Sequence, residues 1–302
     1  MSHRLIGTAF VMFAAVAFSF KAILVKLAYR HGVDPVTLLA LRMAFSAPFF
    51  VAIAYGWSRD GELKRLGLPD WARVAALGLL GYYLASYFDF LGLQFISAAL
   101  ERLVLFLYPT FVVILSGLLF GRRITRRDIL SLSLSYVGIA MVVAVDLSAG
   151  HRNVGLGVFW VMLSALCYAI YLVGNGRMVT KMNSVVFACV ASVFSCIGVL
   201  VHFLLVGEVS QLLQQPWPVY AYSGVMALVS TVLPVIVMSE GIRRIGSSQA
   251  SMLGSVGPVA TIVFGATLLS EPVTVIQLVG AALVLGGVLS ITVVKPAPPA
   301  AR

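Results

Sequence analysis

Long apolar runs alternate with short polar connections along the whole chain. A run of about 18 or more mostly apolar residues is long enough to cross a bilayer as a helix. Ten such runs can be delimited: residues 5–29, 36–57, 72–93, 97–120, 129–145, 155–176, 184–206, 218–241, 247–269 and 275–294. The pattern therefore predicts an all-α membrane protein with ten transmembrane helices.

The sequence also contains an internal duplication, which has to be settled before any finer interpretation. Residues 97–125 align with residues 246–274 at an offset of 149 positions, so that Pro109 falls on Pro258. The first and sixth runs align in the same way at an offset of 150 positions. The duplication predicts two homologous halves with five transmembrane helices each.

We place the first repeat at residues 1–146 and the second at residues 154–294. The remaining residues, 295–302, are rich in proline and alanine and are predicted to form a disordered tail. Because five is an odd number, the second repeat must enter the membrane with the opposite polarity. Inverted repeats are typical of secondary transporters, and the alternative is a duplicated membrane protein of another kind, such as a small-ion channel.

Composition and charge agree with a membrane protein. Hydrophobic residues make up 61% of the chain and charged residues 11%, which excludes a soluble domain. The net charge of +10 would suit nucleic acid, but its distribution indicates topology instead. If the N-terminus is cytoplasmic, fifteen lysines and arginines lie on that side and two, Arg30 and Arg152, on the other. This bias predicts that both termini are cytoplasmic, with no nucleic-acid partner.

The first apolar run imitates a cleavable signal peptide, because His3 and Arg4 precede it and small residues follow at positions 15–17. We interpret it as a retained transmembrane helix for two reasons. The run continues to Tyr29, and it is the repeat partner of an internal helix.

The chain resembles the EamA-type members of the drug/metabolite transporter superfamily. The resemblance rests on Pro109 and Pro258 in the fourth and ninth runs, and on the sequence Ser-Glu-Pro-Val-Thr at residues 270–274. The first repeat departs at residues 121–123, where Gly-Arg-Arg replaces the Gly-Glu that is usual in the family. The resemblance covers nearly the whole chain and implies transport by alternating access. Bacterial aromatic amino-acid exporters occur in this superfamily, so the resemblance allows an amino-acid substrate.

Ionisable side chains within a bilayer are costly and are therefore candidates for function. Lys21 lies about two turns from the outer end of the first run, and we predict that it contacts a polar cavity. The outer halves of the neighbouring runs supply a predicted polar network: Arg42, Asp89, Glu101 and Arg102. In one interpretation these four side chains pair with each other and pin the helix ends. In the other, the unmatched positive charge attracts a substrate carboxylate or phosphate, and Asp89 or Glu101 carries a coupling proton.

The family resemblance also implies a central cavity lined mainly by the first, third, fourth, sixth, eighth and ninth runs, with the fifth and tenth peripheral. The predicted wall contains aromatic and small polar side chains: Tyr82, Tyr108, Trp160, Tyr168, Tyr171, Ser251 and Ser255. Such a wall suits a small, partly apolar solute. Prolines and a glycine within the helices are predicted hinges: Pro109, Pro234, Gly257 and Pro258.

Several kinds of chemistry have no motif in this sequence. There is no Walker-type phosphate loop, no cluster with metal-ligand spacing, and only one histidine, His202, within the predicted helices. We therefore expect no cofactor and no enzymatic activity. The expectation is a multi-pass protein of the bacterial inner membrane, monomeric or homodimeric, that exports small metabolites and foremost neutral or aromatic amino acids. The alternatives are an exchanger of phosphorylated or nucleotide-linked sugars and, less favoured, a small-ion channel.

Overall fold

A computed structural model describes residues 3–58, 62–121, 125–175, 178 and 181–292. These residues form helices joined by short connections, and no strand occurs among them. The ten principal segments are α1 (His3–Tyr29), α2 (Pro35–Trp57), α3 (Leu68–Gly92), α4 (Ala98–Leu105 and Tyr108–Phe120), α5 (Arg126–Ser148), α6 (Val154–Asn175), α7 (Ser184–Val206), α8 (Trp217–Ile245), α9 (Ser247–Gly254 and Val256–Leu269) and α10 (Val275–Thr292). Two short helices, Glu62–Arg65 and Val209–Leu213, lie in the connections.

The segments have the length and composition of membrane-crossing helices. Segments α1 to α8 each contain an apolar helix long enough to span a bilayer, and α9 and α10 contain shorter apolar helices. Large apolar side chains such as Leu118 and Leu205 are exposed on the outside of the bundle, where lipid would cover them. The prediction of an all-helical, multi-pass membrane protein is confirmed.

Local sequence explains where several helices begin. Asp34 accepts hydrogen bonds from the backbone N–H groups of the first turn of α2, and Pro35 occupies the first helical position. Thr125 and Asp128 form a reciprocal capping box at the start of α5. Asn183 caps α7 in a similar way. The polar connections therefore fix the helix ends, although they are only a few residues long.

Two interruptions recur at equivalent positions in the two halves. A π-helical turn occupies Leu79–Leu84 in α3, and another occupies Leu228–Val232 in α8. The first parts of α4 and α9, Ala98–Leu105 and Ser247–Gly254, begin and end 149 positions apart. A proline, which cannot donate a backbone hydrogen bond, follows the breaks of α4, α8 and α9 within four residues, whereas none follows the turn of α3. The offset of the sequence duplication is thus reproduced in the backbone.

Segments α5 and α10 meet along a seam of small residues. A Cβ atom added to Gly138 would lie 2.5 Å from the carbonyl oxygen of Gly280. Further along the seam, Gly287 packs against Ser131, whose hydroxyl is hydrogen-bonded to that of Ser290. Residue numbers rise along α5 as they fall along α10, so the two helices are antiparallel. This pair of equivalent helices therefore runs in opposite directions, as inverted repeats require.

Each half also packs its third helix against the first helix of the other half. In one contact Gly92 of α3 lies against Gly157 of α6, and in the other Gly241 of α8 lies against Gly7 of α1. Small residues allow this close approach of two backbones. Because the helices of the two halves pack against each other in this way, a space remains at the centre of the bundle.

Candidate functional site

A cavity of about 550 Å³ occupies this central space. Its lining comes from α1–α4 and α6–α9, and none of its lining residues belongs to α5 or α10. Tyrosines and hydroxyl side chains dominate the polar part of the wall: Tyr82, Tyr108, Tyr168, Tyr171, Ser86, Ser164, Ser184, Ser192, Ser195, Ser230, Thr231 and Ser239. A volume of this size can hold a small organic molecule.

Among the described lining residues, the exposed ones lie at one end of the helices. Ser184 at the start of α7 and Ile242 near the end of α8 line the cavity and are exposed. Both lie on the side of the bundle where α1 begins. At the opposite end the lining stops at charged side chains that include Lys21 and Asp89.

Lys21, Asp89 and Glu101 form one buried ionic group, which we call the gate cluster. The Lys21 Nζ atom lies 2.5 Å from Asp89 Oδ2 and 3.6 Å from Glu101 Oε1. The two carboxyl side chains are 1% and 0% exposed. Glu101 is in the first turn of α4, where the helix dipole stabilises negative charge. The ammonium group of Lys21 on α1 therefore contacts acidic side chains of two other helices, α3 and α4.

Arg42 does not join this ionic group. Its Nε donates a hydrogen bond of 2.8 Å to Thr231 Oγ1, and its guanidinium lies 5.5 Å from the centre of the Phe90 ring. Its Nη1 also lies 3.5 Å from Ser86 Oγ. Arg42 is thereby fixed against α3 and α8 while it lines the cavity.

Arg102 lies on the other side of the cavity, against the break in α9. A Cβ atom added to Gly257 would come within 2.8 Å of Arg102 Nη2, so the guanidinium packs closely against this glycine. Among the described residues, neither Arg102 nor Arg42 has a carboxylate oxygen within ion-pair distance. The expected pairing of these arginines with Asp89 and Glu101 is therefore not found. Both acids contact the ammonium group of Lys21 instead.

Four tyrosines form a continuous aromatic wall. The Tyr82 and Tyr171 hydroxyl oxygens are 3.1 Å apart, and their ring centres are 5.0 Å apart. Tyr168 stacks on Tyr171 and meets Tyr108 edge to face at 5.2 Å. Tyr168 and Tyr171 share a face of α6 because they are three residues apart. The structure thus brings together the four tyrosines that the sequence placed in the wall.

Trp160 is not part of this wall, contrary to the prediction. Its ring stacks on Phe88 at 5.5 Å with an interplanar angle of 12°, away from the lining residues. The prediction extended one helix face over eight residues, from Trp160 to Tyr168. Eight residues of a 3.6-residue helix rotate about 80° past two full turns, which turns Trp160 out of line with Tyr168.

The remaining predicted residues lie near the break in α9 or at helix interruptions. Ala250 and Gly254 of α9 line the cavity, whereas Ser255 is at the break and is not a lining residue. The side chain of Ser251 lies outside the described residues. Three prolines adjoin the interruptions of α4, α8 and α9: Pro109, Pro234 and Pro258. Their role as hinges, together with that of Gly257, stays a prediction.

The sequence analysis missed the contributions of α2 and α7. Ser192 and Ser195 lie three residues apart on α7, and both line the cavity. Their hydroxyl oxygens, and that of Ser230 on α8, have no hydrogen-bond partner in the described part of the chain. Serines spaced three residues apart in an otherwise apolar helix are a signal that would have identified this face.

A second pocket, of about 350 Å³, lies beyond the gate cluster and is lined by polar and charged side chains: Lys26, Tyr29, Arg30, Gln94, His151 and Glu271. Glu271 belongs to the Ser-Glu-Pro-Val-Thr sequence of the second repeat. Its Oε1 accepts a 2.9 Å hydrogen bond from the backbone N–H of Ala98, which starts α4 of the first repeat. The glutamate therefore ties the second half to the first at this end.

These observations define a class of protein. A largely apolar cavity with tyrosine and hydroxyl groups in its wall reaches one side of the helical bundle. A second pocket with charged side chains lies beyond a buried ionic barrier. This is the architecture of a membrane transporter with internal repeats.

The chain belongs to the EamA-like transporter family, whose model matches residues 5–144 and 155–293. It is similar to the uncharacterized transporter YcbK of Bacillus subtilis (strain 168), with 29% identity over 287 residues, 91% of this chain and 88% of that protein. The uncharacterized transporter sll1319 of Synechocystis sp. is 24% identical over 318 residues, 98% of this chain and 95% of its own length. The predicted family resemblance is confirmed, and the protein is a multi-pass membrane transporter of small substrates.

A solved structure described as "Crystal structure of protein" has the same fold. It superposes with a TM-score of 0.62 at 16% sequence identity, covering 96% of this chain and 97% of that one. At this level of identity the similarity concerns the fold alone.

Proposed function

We propose that the protein exports small metabolites, foremost amino acids with neutral or aromatic side chains, across the bacterial inner membrane by alternating access. The observation that carries the proposal is a pair of arginines, Arg42 and Arg102, that line the cavity without a carboxylate partner among the described residues. Together with Lys21 they outnumber the two acids of the gate cluster by one positive charge. This surplus leaves a guanidinium free to pair with the carboxylate of a ligand.

The lining supports an amino acid rather than a simple inorganic anion. A guanidinium binds a carboxylate through two parallel hydrogen bonds, which fixes the orientation of the ligand as well as attracting it. The tyrosine wall offers large amphipathic rings to an apolar or aromatic side chain. The unpartnered serine hydroxyls of α7 and α8 supply further polar contacts.

The charge distribution and the open side of the cavity support the proposed direction of transport. The positive-inside bias supports a cytoplasmic N-terminus, and the cavity is open on the side where α1 begins. In this conformation an amino acid enters from the cytoplasm. The two halves would change conformation at their matched interruptions, those of α3 and α8 and those of α4 and α9. Such a change closes the cavity on one side of the membrane and opens it on the other.

One observation favours a second candidate. Two arginines on one cavity also suit a phosphate group, as an exchanger of phosphorylated or nucleotide-linked sugars requires. Such an exchanger carries out obligatory counter-exchange, in which export stops when no phosphorylated solute is present on the other side. An amino-acid exporter shows net efflux into empty medium, which distinguishes the two.

The proposal is tested by counterflow of labelled L-phenylalanine in proteoliposomes, with two aromatic variants as a matched pair. We expect Tyr168→Ala to lower the rate about tenfold, because a ring of the cavity wall is worth about 1.4 kcal/mol to a bound aromatic ligand. Trp160→Ala, which removes a ring outside the cavity, should stay within about twofold of the wild type per reconstituted protein. Absence of phenylalanine counterflow, or an equal loss in both variants, would contradict the proposed substrate and wall.

A further inference from the structure

We propose that the cavity contains a subsite for a hydroxyl group at the far end of the substrate. We call this subsite the hydroxyl pocket, and it is formed by Arg42 of α2, Ser192 and Ser195 of α7 and Ser230 of α8. The substrate class is then an aromatic amino acid whose ring carries a hydroxyl group, such as tyrosine, in preference to phenylalanine. The inference rests on the proposed function, because it adds a second polar contact to an amino acid whose carboxylate an arginine binds.

The serines of the pocket differ from other serines of the bundle in what their hydroxyl groups bind. A serine inside an apolar helix can donate to the backbone carbonyl four residues earlier. Ser46 of α2 donates in this way to the carbonyl of Arg42, and Ser239 of α8 does the same within its own helix, each at 2.8 Å. Ser195 of α7 occupies the position of Ser46 at the 149-residue offset, but its hydroxyl group has no partner among the described residues. It is therefore available to a ligand.

Three such hydroxyl groups belong to lining residues of two neighbouring helices. Ser192 and Ser195 are one turn apart on α7, and Ser230 lies in the π-helical turn of α8. Each of these serines is at most 3% exposed, and its hydroxyl oxygen has no hydrogen-bond partner in the described part of the chain. Buried polar atoms without a partner are uncommon in folded proteins, so each requires an explanation. A hydroxyl group of a ligand in the cavity would supply the missing partner.

Arg42 lies between the two helices that carry these serines. Its Nε donates a hydrogen bond of 2.8 Å to Thr231, which directly follows the serine of α8. The sulfur atoms of Met43 and Cys196 are 3.8 Å apart, and Cys196 directly follows the second serine of α7. A guanidinium has five N–H groups, and two nitrogens of Arg42 are directed at Thr231 and Ser86. Its remaining N–H groups can donate to a phenolic oxygen, whose own proton is donated to a serine.

The two arginines of the cavity differ in what they offer to a ligand. The Nε atom of Arg102 is buried and has no hydrogen-bond partner among the described residues. That edge of its guanidinium can therefore bind a carboxylate through two parallel hydrogen bonds. The Nε atom of Arg42 is already bonded to Thr231, and its guanidinium lies against the Phe90 ring. We therefore place the substrate carboxylate at Arg102 and the substrate hydroxyl group at Arg42.

The tyrosine wall joins the two ends of this site. At one end, Arg102 lies near the hydroxyl groups of Tyr108 and Tyr168. At the other end, Tyr171 stacks on Phe187 of α7, with the ring centres 5.9 Å apart. An aromatic amino acid whose carboxylate is bound at Arg102 therefore has its ring along the wall and its 4-hydroxyl group directed toward α7.

Competition between two amino acids that differ by one hydroxyl group tests the hydroxyl pocket in proteoliposomes. Unlabelled L-tyrosine should inhibit counterflow of labelled L-phenylalanine at about tenfold lower concentration than unlabelled L-phenylalanine does, since a net hydrogen bond is worth about that factor. Ser230→Ala, and the double variant Ser192→Ala with Ser195→Ala, should each reduce this preference to about threefold or less. Ser223→Ala is the matched control and should keep the preference, because Ser223 is on the same helix as Ser230 and equally buried but does not line the cavity. A wild type without the preference, the same loss in Ser223→Ala, or stronger inhibition by L-glutamate than by L-tyrosine would overturn the inference.

Binding of two amines tests the hydroxyl pocket without transport and without a carboxylate. Tyramine and phenethylamine differ by the same hydroxyl group, so tyramine should raise the unfolding temperature of the wild type in detergent at about tenfold lower concentration. Ser230→Ala should reduce this difference, and Ser223→Ala should keep it. Equal stabilisation of the wild type by the two amines would overturn the inference. If the wild type moves no amino acid, the proposed function fails, whereas the result with the amines decides the hydroxyl pocket separately.

Discussion

The Lys21→Met variant is expected to lose transport and much of its stability. Methionine matches the length of lysine but leaves Asp89 and Glu101 buried without a counter-ion. Removing one partner of a buried ion pair costs about 3–5 kcal/mol, which is a large part of the stability of a typical domain. The measurements are thermal unfolding in detergent and counterflow of labelled L-phenylalanine in proteoliposomes.

Two further variants separate the electrostatic effect from a general effect of the substitution. Lys181→Met removes the lysine of a solvent-exposed ion pair with Asp70, so its unfolding temperature should stay close to that of the wild type. The double variant Lys21→Met with Asp89→Asn should recover part of the unfolding temperature, because one buried charge is removed, but it should not recover transport. A Lys21→Met protein that unfolds and transports like the wild type would refute the assigned role of the cluster.

Replacement of Arg102 by glutamine should lower phenylalanine transport by about tenfold to hundredfold. The estimate follows from a charge-assisted hydrogen bond to the substrate, worth about 1.5–3 kcal/mol. Arg102→Lys should restore little, because an ammonium lacks the planar pair of donors that matches a carboxylate. The measurement is the rate of counterflow per reconstituted protein.

A substrate analogue makes this prediction specific. Phenethylamine keeps the ring and ammonium of phenylalanine but has no carboxylate, so Arg102→Gln should leave its weak transport unchanged. Arg73→Gln, at an exposed ion pair with Asp70, is the matched control and should transport phenylalanine normally. Equal losses for both solutes would show that Arg102 stabilises the fold rather than binding the carboxylate.

Much of the fold could be predicted because two independent features of the sequence, its hydropathy and its internal duplication, indicate the same helices. Hydropathy delimits the helices, and the 149-residue offset relates the interruptions of α4 and α9 before any coordinates are known. The π-helical turns of α3 and α8 could not be predicted, since their residues are as apolar as their neighbours. They depend on how each helix packs against the other half.

The charged residues of the candidate site could be predicted from the sequence, but the contacts between them could not. Lys21, Asp89 and Glu101 stand out because charge within a bilayer requires a reason. Which acid meets which base depends on the rotation of each helix about its axis, and that rotation is set by packing rather than by sequence spacing. In this protein the close backbone contacts at Gly92 of α3 and Gly241 of α8 fix the rotation of these helices. For this reason the sequence assigned the arginines, rather than Lys21, to the acids.

The central claim is that the cavity between the two halves is the solute path and opens to each side in turn. Ser86 lines the cavity next to Arg42, and the three native cysteines are buried and can be replaced. A Ser86→Cys protein free of other thiols would be treated with a membrane-impermeant thiol reagent from either side of oriented vesicles. We predict reaction from both sides, slowed in each case by L-phenylalanine. Reaction from one side only, or reaction that phenylalanine does not slow, would contradict the account.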